Sequence, residues 1–212
     1  MPLQKALLQV LLPAFAPCPE FRGVRKTMRW ESDAGHVPRG FYGALGALAE
    51  VELILVFAES GDPHQGQQYA GLQIAFDYAG DAFGASTDLF HRNVRSILDG
   101  FWLGLTFAEQ MRKTWMRESV LCSALREGGS VHVNAARACG NLYLKKQIEL
   151  MPAALFVALG RKAADRLHAI GVENFLNDVW AAAPSGTNRP AARKSWKKIP
   201  KALTRTLQQT PK

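Results

Sequence analysis

Leu53-Ile54-Leu55-Val56-Phe57 is a continuous apolar run with no polar alternation. Such a run predicts a strand, spanning Val51–Ala58, that is buried on both faces as in a parallel sheet. Ser119–Ala124 (SVLCSA), Ala154–Leu159 (ALFVAL) and the VWAAA stretch within Phe175–Ala183 predict three more. Between the runs, apolar residues recur at three- and four-residue steps, the spacing of a helix face. Short helices are expected over residues 1–12 and Gly43–Glu50. From Leu89 to about Arg117 the pattern predicts one long helix or two, broken near Gly100–Gly104, with Thr87 or Asp88 as the N-cap. Asn134–Leu150 is helical and stopped by Pro152, and Arg161–Ile170 is helical and closed by Gly171. A basic helix starts near Ala191. Ala16–Phe41 reads as irregular, Gly71–Phe76 as a second extended piece and Asp81–Ser86 as a small-residue loop. The alternation of strand and helix predicts an α/β fold. Its form is a three-layer α/β/α sandwich around a central, mostly parallel, four-stranded sheet. The expected organisation is a single domain over 1–212, with residues 1–50 as an N-terminal extension packed on it and 189–212 as a basic C-terminal segment.

The first strand runs into Glu59-Ser60-Gly61-Asp62-Pro63. Two carboxylates three residues apart then stand just beyond the carboxyl end of a central strand, where open α/β sheets bind their ligands. Acidic residues beside Gly and Pro are also ordinary turn chemistry.

Charge adds a partner. The 212 residues carry a formal net charge of +8. After Asp178 no acidic residue occurs, while Arg189, Arg193, Lys194, Lys197, Lys198, Lys201, Arg205 and Lys212 follow. A one-signed tail implies a polyanion, either nucleic acid or an anionic membrane surface. No apolar run has spanning length, so no membrane span is expected; because the surplus of charge lies in the tail, DNA is favoured over a membrane as the partner. Cys18, Cys122 and Cys139 are few, odd in number and widely spaced, which fits a reducing cytoplasm rather than a disulfide framework.

Cys139–Ala164 (CGNLYLKKQIELMPAALFVALGRKAA) joins a Cys-led helix, a Pro, an apolar strand, Leu-Gly and a second helix. This block resembles the corresponding segment of the uracil-DNA glycosylase superfamily. Ala183-Pro184-Ser185-Gly186-Thr187-Asn188-Arg189 is similar to that family's His-Pro-Ser loop, which enters the minor groove. Ala58-Glu59-Ser60-Gly61-Asp62-Pro63 stands where the family has Gly-Glu-Ala-Pro-Gly or Gly-Gln-Asp-Pro-Tyr-His. The resemblance covers roughly residues 52–196. The chain departs from the pattern in carrying Ala183 for the loop His and Glu118 for a base-reading Asn. Cys122 and Cys139 match two of the four cluster ligands of an iron–sulfur subgroup, but its Cys-x-x-Cys pair is missing and only Cys18 is present. Three thiolates under-ligate a four-iron cluster, so no cofactor is expected.

The resemblance implies a monomeric, monofunctional DNA glycosylase of base-excision repair. It would work in the cytoplasm beside the nucleoid, extruding uracil and hydrolysing its N-glycosidic bond. Asp62 is then the first choice for the catalytic carboxylate and Glu59 the second. The Ser60–Asp62 turn amides would hold the base carbonyls. Phe76, with Tyr69 close behind, would stack on the base, and core packing is the competing role for Phe76. Glu118 and Ser119 would face the base at the mouth of the second strand. Ser185, Gly186, Asn188 and Arg189 would form the minor-groove loop, and Arg193 and Lys194 would contact phosphates. Arg161 is a weaker phosphate candidate, and His64 is a candidate substitute for the loop His. Two other readings remain: a non-catalytic or weakly catalytic protein of the same fold that binds DNA or abasic sites, and a nucleotide-binding α/β hydrolase acting on a small substrate.

Overall fold

The computed structural model describes residues 3–18, 28–31, 35–61, 71–86, 88–124, 129–183 and 190–209. In chain order the main elements are α1 (Lys5–Leu11), β1 (Met28–Arg29), β2 (Phe41–Gly43), β3 (Leu53–Glu59), α2 (Leu72–Ala85), α3 (Leu89–Asp99), α4 (Phe107–Lys113), β4 (Thr114–Val120) and β5 (Ser123–Ala124). They continue with α5 (Val133–Cys139), α6 (Lys145–Glu149), β6 (Leu155–Leu159), α7 (Arg161–His168), β7 (Leu176–Val179), α8 (Pro190–Trp196) and α9 (Lys198–Gln209). A π-helical turn, Gly140–Leu144, joins α5 to α6. No described helix is long and apolar enough to cross a membrane.

The main sheet has the order β2-β4-β3-β6-β7. β4, β3, β6 and β7 are mutually parallel, and β2 runs antiparallel on the edge beside β4. The fold is therefore α/β with a mostly parallel sheet of five strands. The additional strand comes from the run His36–Gly43, which a polar and Pro-containing composition hides from period counting.

β3 is central, hydrogen-bonded to β4 on one side and β6 on the other. Ile54 and Val56 face a core built with Leu7 and Leu11 of α1, Ala163 and Leu167 of α7, and Leu144. Leu53, Leu55 and Phe57 face a second core with Val94 and Ile97 of α3, Met111 of α4, Ala192 and Trp196 of α8 and Ile199 of α9. Period-2 alternation thus sends neighbouring residues of one strand into two separate apolar layers.

Three sequence expectations change here: the fourth strand is Leu176–Val179, ending where the predicted VWAAA stretch, Val179–Ala183, begins, and two others concern α2 and β4. Residues 72–85 form a helix, not an extended piece followed by a loop. Leu72, Ala75, Phe76, Ala79, Ala82 and Phe83 supply its buried face at helical spacing, and Gly80 and Gly84 mask that period. Gly80 is required for contact, because a Cβ there would lie 2.5 Å from the Tyr42 ring. Asp88 is the N-cap of α3, accepting from the His91 N–H at 2.9 Å. The second parallel strand begins at Thr114, five residues before the predicted Ser119, so the helical period that continues to Arg117 actually ends with α4 at Lys113. TWMRESV carries Arg and Glu and so does not read as a core strand, yet all seven residues are buried.

Trp115 of β4 is fully buried and donates from Nε1 to Gln147 Oε1 at 3.0 Å, tying the sheet to the covering helix. Trp115→Phe strands that acceptor in the core, at a cost of about 1–3 kcal/mol. The expected result is a lower urea midpoint at unchanged slope, and an unmoved midpoint contradicts this role.

Candidate functional site at the carboxyl edge of the sheet

The chain leaves β3 toward β4 and leaves β6 toward β7, so the strand order reverses between β3 and β6. A crevice at the carboxyl end of such a switch is the usual ligand position in open α/β sheets. Glu59 is the last residue of β3 and stands there. Its side chain is only 3% exposed. Arg166 Nη2 lies 2.5 Å from Glu59 Oε2, and Lys162 Nζ lies 2.9 Å from Oε1. Both cations come from α7, four residues apart and therefore on one face of the helix.

Arg166 does more than neutralise Glu59. Its Nη1 donates to the Ala58 carbonyl at 2.5 Å and to Ser119 Oγ at 2.9 Å. Ser119 Oγ in turn donates to the same Ala58 carbonyl at 2.5 Å. One guanidinium therefore ties α7 to the ends of both β3 and β4. On the other side, Arg39 donates from Nη2 to the Gly61 carbonyl, and the Glu118 N–H donates to the Gly40 carbonyl at 2.8 Å. The Ser60 carbonyl accepts from the Ala124 N–H at 3.1 Å. The turn after β3 is thus held by backbone contacts up to Gly61, the residue before Asp62.

Glu118 is one residue from Ser119 and points to the opposite face of β4. It is 7% exposed, and its Oε2 has no hydrogen-bond partner among the described residues. Burial, and then the negative charge of Glu59, push its carboxyl up to about 8, against the opposing pull of Arg166, Arg117 and Arg39. Arg117 is wholly buried and donates from Nε to the Glu118 carbonyl at 2.6 Å. Its guanidinium is pulled down to about 10 by burial and stays charged at neutral pH. Gly40 lies directly over this acid. At φ +77°, a Cβ there would collide with Glu118 Cγ and stand 2.7 Å from Ser60 Oγ.

Five of the sequence-derived candidates, Glu59, Ser60, Gly61, Glu118 and Ser119, therefore meet at one edge. Phe76 does not join them. It sits on α2 at 1% exposure, with its ring centroid 4.8 Å from Tyr42 and 6.3 Å from Phe41. That ring belongs to the core and offers no face to a base. Asp62, His64, Tyr69, Ser185, Gly186, Asn188 and Arg189 lie outside the described residues. Arg161 is 93% exposed and lies 3.6 Å from Asp165. The residues that do reach it, Lys162, Arg166, Arg39 and Gly40, were not foreseen. A pair of cations four apart on the helix after a central parallel strand is the signal that marks the first two.

Arg193, Lys194, Lys197, Lys201 and Arg205 are exposed, while Ala192, Trp196, Ile199 and Leu203 of the same helices are buried. α8 is docked by Ser195 Oγ, which accepts from the Trp180 N–H at 3.0 Å, and by Trp196 Nε1, which donates to the Trp180 carbonyl at 2.9 Å. Lys198 is partly spent on Asp178, 3.6 Å away.

Cys18, Cys122 and Cys139 line one apolar cavity of about 20 Å³ together with Met28 and Tyr143. That is room for about one water. Burial raises Cys122 and Cys139 above the ordinary thiol range. Among the described residues no group of three His, Cys, Asp or Glu side chains is arranged to hold a metal ion. A four-iron cluster does not fit this cavity. Comparison with protein-family models and with curated proteins gives no match to this chain.

Two outcomes follow from the electrostatics. A carboxyl raised in the folded state binds its proton more tightly than in the unfolded chain. Its contribution to stability is then full below about 4.5 and is lost as pH rises through about 8. The stability difference between the wild type and Glu118→Gln, followed by urea midpoints, should fall across that window, and a flat difference contradicts it. Arg166→Met leaves the buried Glu59 with one half-exposed partner and should cost about 3–5 kcal/mol. Lys162→Met should cost about 0–1 kcal/mol, and equal losses would refute the assigned hierarchy.

Proposed function

We propose that the chain is a uracil-DNA glycosylase of the three-layer α/β/α type. It would hydrolyse the N-glycosidic bond of an extruded uracil in DNA and leave an abasic site. The observation that carries this reading is the meeting of two buried carboxyl groups, Glu59 between Arg166 and Lys162 and Glu118 raised by burial, at the carboxyl edge just before Asp62-Pro63. The order of motifs in the sequence supports it, as do the exposed cations of α8 and α9.

Hydrolysis breaks the bond between the sugar's anomeric carbon and the base nitrogen. The electron pair leaves with the base, which becomes an anion and later takes up a proton. A water oxygen bonds to the anomeric carbon, and its proton passes to a carboxylate. Glu59 is committed to Arg166 and Lys162, so it fits the role of an electrostatic anchor for the turn. Asp62 remains the first choice to orient the water and to offset positive charge on the sugar. Ser60 and Gly61 present the turn to the base carbonyls, and no cofactor enters this chemistry. Arg193 and Lys194, with Ser185, Gly186, Asn188 and Arg189, are assigned to the DNA backbone and minor groove.

A second reading is a protein of the same fold that binds DNA or abasic sites with little or no turnover. Ala183, in place of the loop His, favours it, because a donor to the departing base is lost there.

Incubation with an oligonucleotide holding one uracil, followed by alkaline cleavage, tests the proposal. Wild type should cleave the strand, Asp62→Asn should lose at least about 100-fold, and Arg193→Ala and Lys194→Ala should each reduce the salt slope of DNA affinity by about 1. Retention of the oligonucleotide without base release selects the second reading. Neither retention nor release overturns both.

A further inference from the structure

We propose that Cys18 and Cys139 form a peroxide-responsive thiol pair: hydrogen peroxide oxidises Cys18, and Cys139 resolves it to a disulfide that joins the N-terminal segment to α5. The pair acts whether or not the chain releases a base from DNA.

The cavity carries it. Cys18 follows the turn after α1, Cys122 follows β4 and Cys139 ends α5. Three distant parts of the chain thus bring their thiols to one cavity of about 20 Å³, with Met28 and Tyr143 among its other walls. It has room for about one water. A charge on Cys18 is felt at Cys122, Cys139 and Tyr143 alike, which makes the three sulfurs close neighbours. All three are free thiols.

The three are not equivalent. Cys18 is partly exposed, whereas Cys122 and Cys139 are buried. An oxidant arriving from solvent therefore meets Cys18 first. Behind it, Cys139 Sγ accepts from the Leu121 N–H at 3.5 Å. The wholly buried Arg117 guanidinium also acts on Cys139, and its Nη1 and Nη2 have no hydrogen-bond partner among the described residues. Burial raises the Cys139 thiol, and Arg117 and the Leu121 amide pull the other way. Cys122 is raised by burial and by the charges of Cys139 and Cys18. Of the two buried thiols, Cys139 has the neighbours that favour its anion, the form that attacks sulfur.

The chemistry selects the oxidant. An apolar cavity of this size admits a small, uncharged molecule and rejects a bulky or charged disulfide, so hydrogen peroxide fits. The Cys18 sulfur attacks the peroxide: an S–O bond forms, the O–O bond breaks, and the leaving hydroxide takes the thiol proton as water. Cys139 Sγ then attacks the sulfur of the sulfenic acid: an S–S bond forms, the S–O bond breaks, and the hydroxide leaves with the Cys139 proton as a second water. Two thiols give up two electrons, and one peroxide becomes two waters. A reducing compartment returns the pair to thiols, so the bridge is transient.

The test exposes the full chain to hydrogen peroxide, removes the excess with catalase, alkylates the remaining thiols under denaturing conditions and maps the peptides by mass spectrometry without reduction. Wild type should lose two of its three thiols, with Cys18 joined to Cys139 of the same chain and Cys122 alkylated. In urea the preference for this pair should disappear. Cys139→Ala should stop at a sulfenic acid on Cys18, which dimedone traps, and Cys122→Ala should form the bridge as wild type does. Cys18→Ala should keep both buried thiols reduced at a dose that oxidises wild type. The wild-type map decides the pairing whether or not each variant folds. Three free thiols with oxidation confined to methionine, or a bridge confined to Cys122 and Cys139 or formed only between chains, overturns the inference.

Discussion

Burial of β3 on both faces is the constraint from which the site follows. Leu53 to Val56 are fully enclosed between two apolar layers and two parallel neighbours. Nothing polar is tolerated along that strand until it ends, so its first charge, Glu59, emerges where the two layers and α7 still close around it. A carboxylate at that depth needs close cations. Arg166 and Lys162 meet the need from one helix face. The same Arg166 holds the ends of β3 and β4 together through Ala58 and Ser119, so neutralising Glu59 and shaping the edge are one interaction.

This arrangement separates two carboxyl groups that the residue type alone makes equivalent. Glu59 takes the cations. Glu118, on the adjacent strand, receives burial and the charge of Glu59. Arg117 is wholly buried, and its Nε donates to the Glu118 backbone carbonyl.

Much of the fold is legible in the sequence, because continuous apolar runs and 3.6-residue periods are direct records of burial. β3, β6, α5 to α7 and the basic C-terminal helices can be read that way. β4 is obscured because a strand carrying Arg117 and Glu118 does not look like a core strand, although both are enclosed. α2 is obscured by Gly80 and Gly84, which signal a loop, although Gly80 serves close packing against Tyr42. The site is half legible. Glu59, Ser60, Gly61, Glu118 and Ser119 follow from their place at strand ends, whereas Arg39 and Arg166 act across long sequence separations that no local pattern records. Phe76 shows the opposite failure: an aromatic at a motif spacing belongs to the core because its helix turns it inward.

Titration of the glutamate side-chain carboxyl carbons by NMR, with selectively labelled glutamate in wild type and Glu118→Gln, tests the raised titration of Glu118 most directly. The account predicts one resonance in the wild type with a midpoint near 8, missing from Glu118→Gln. Midpoints for every glutamate within the ordinary carboxylate range would contradict it.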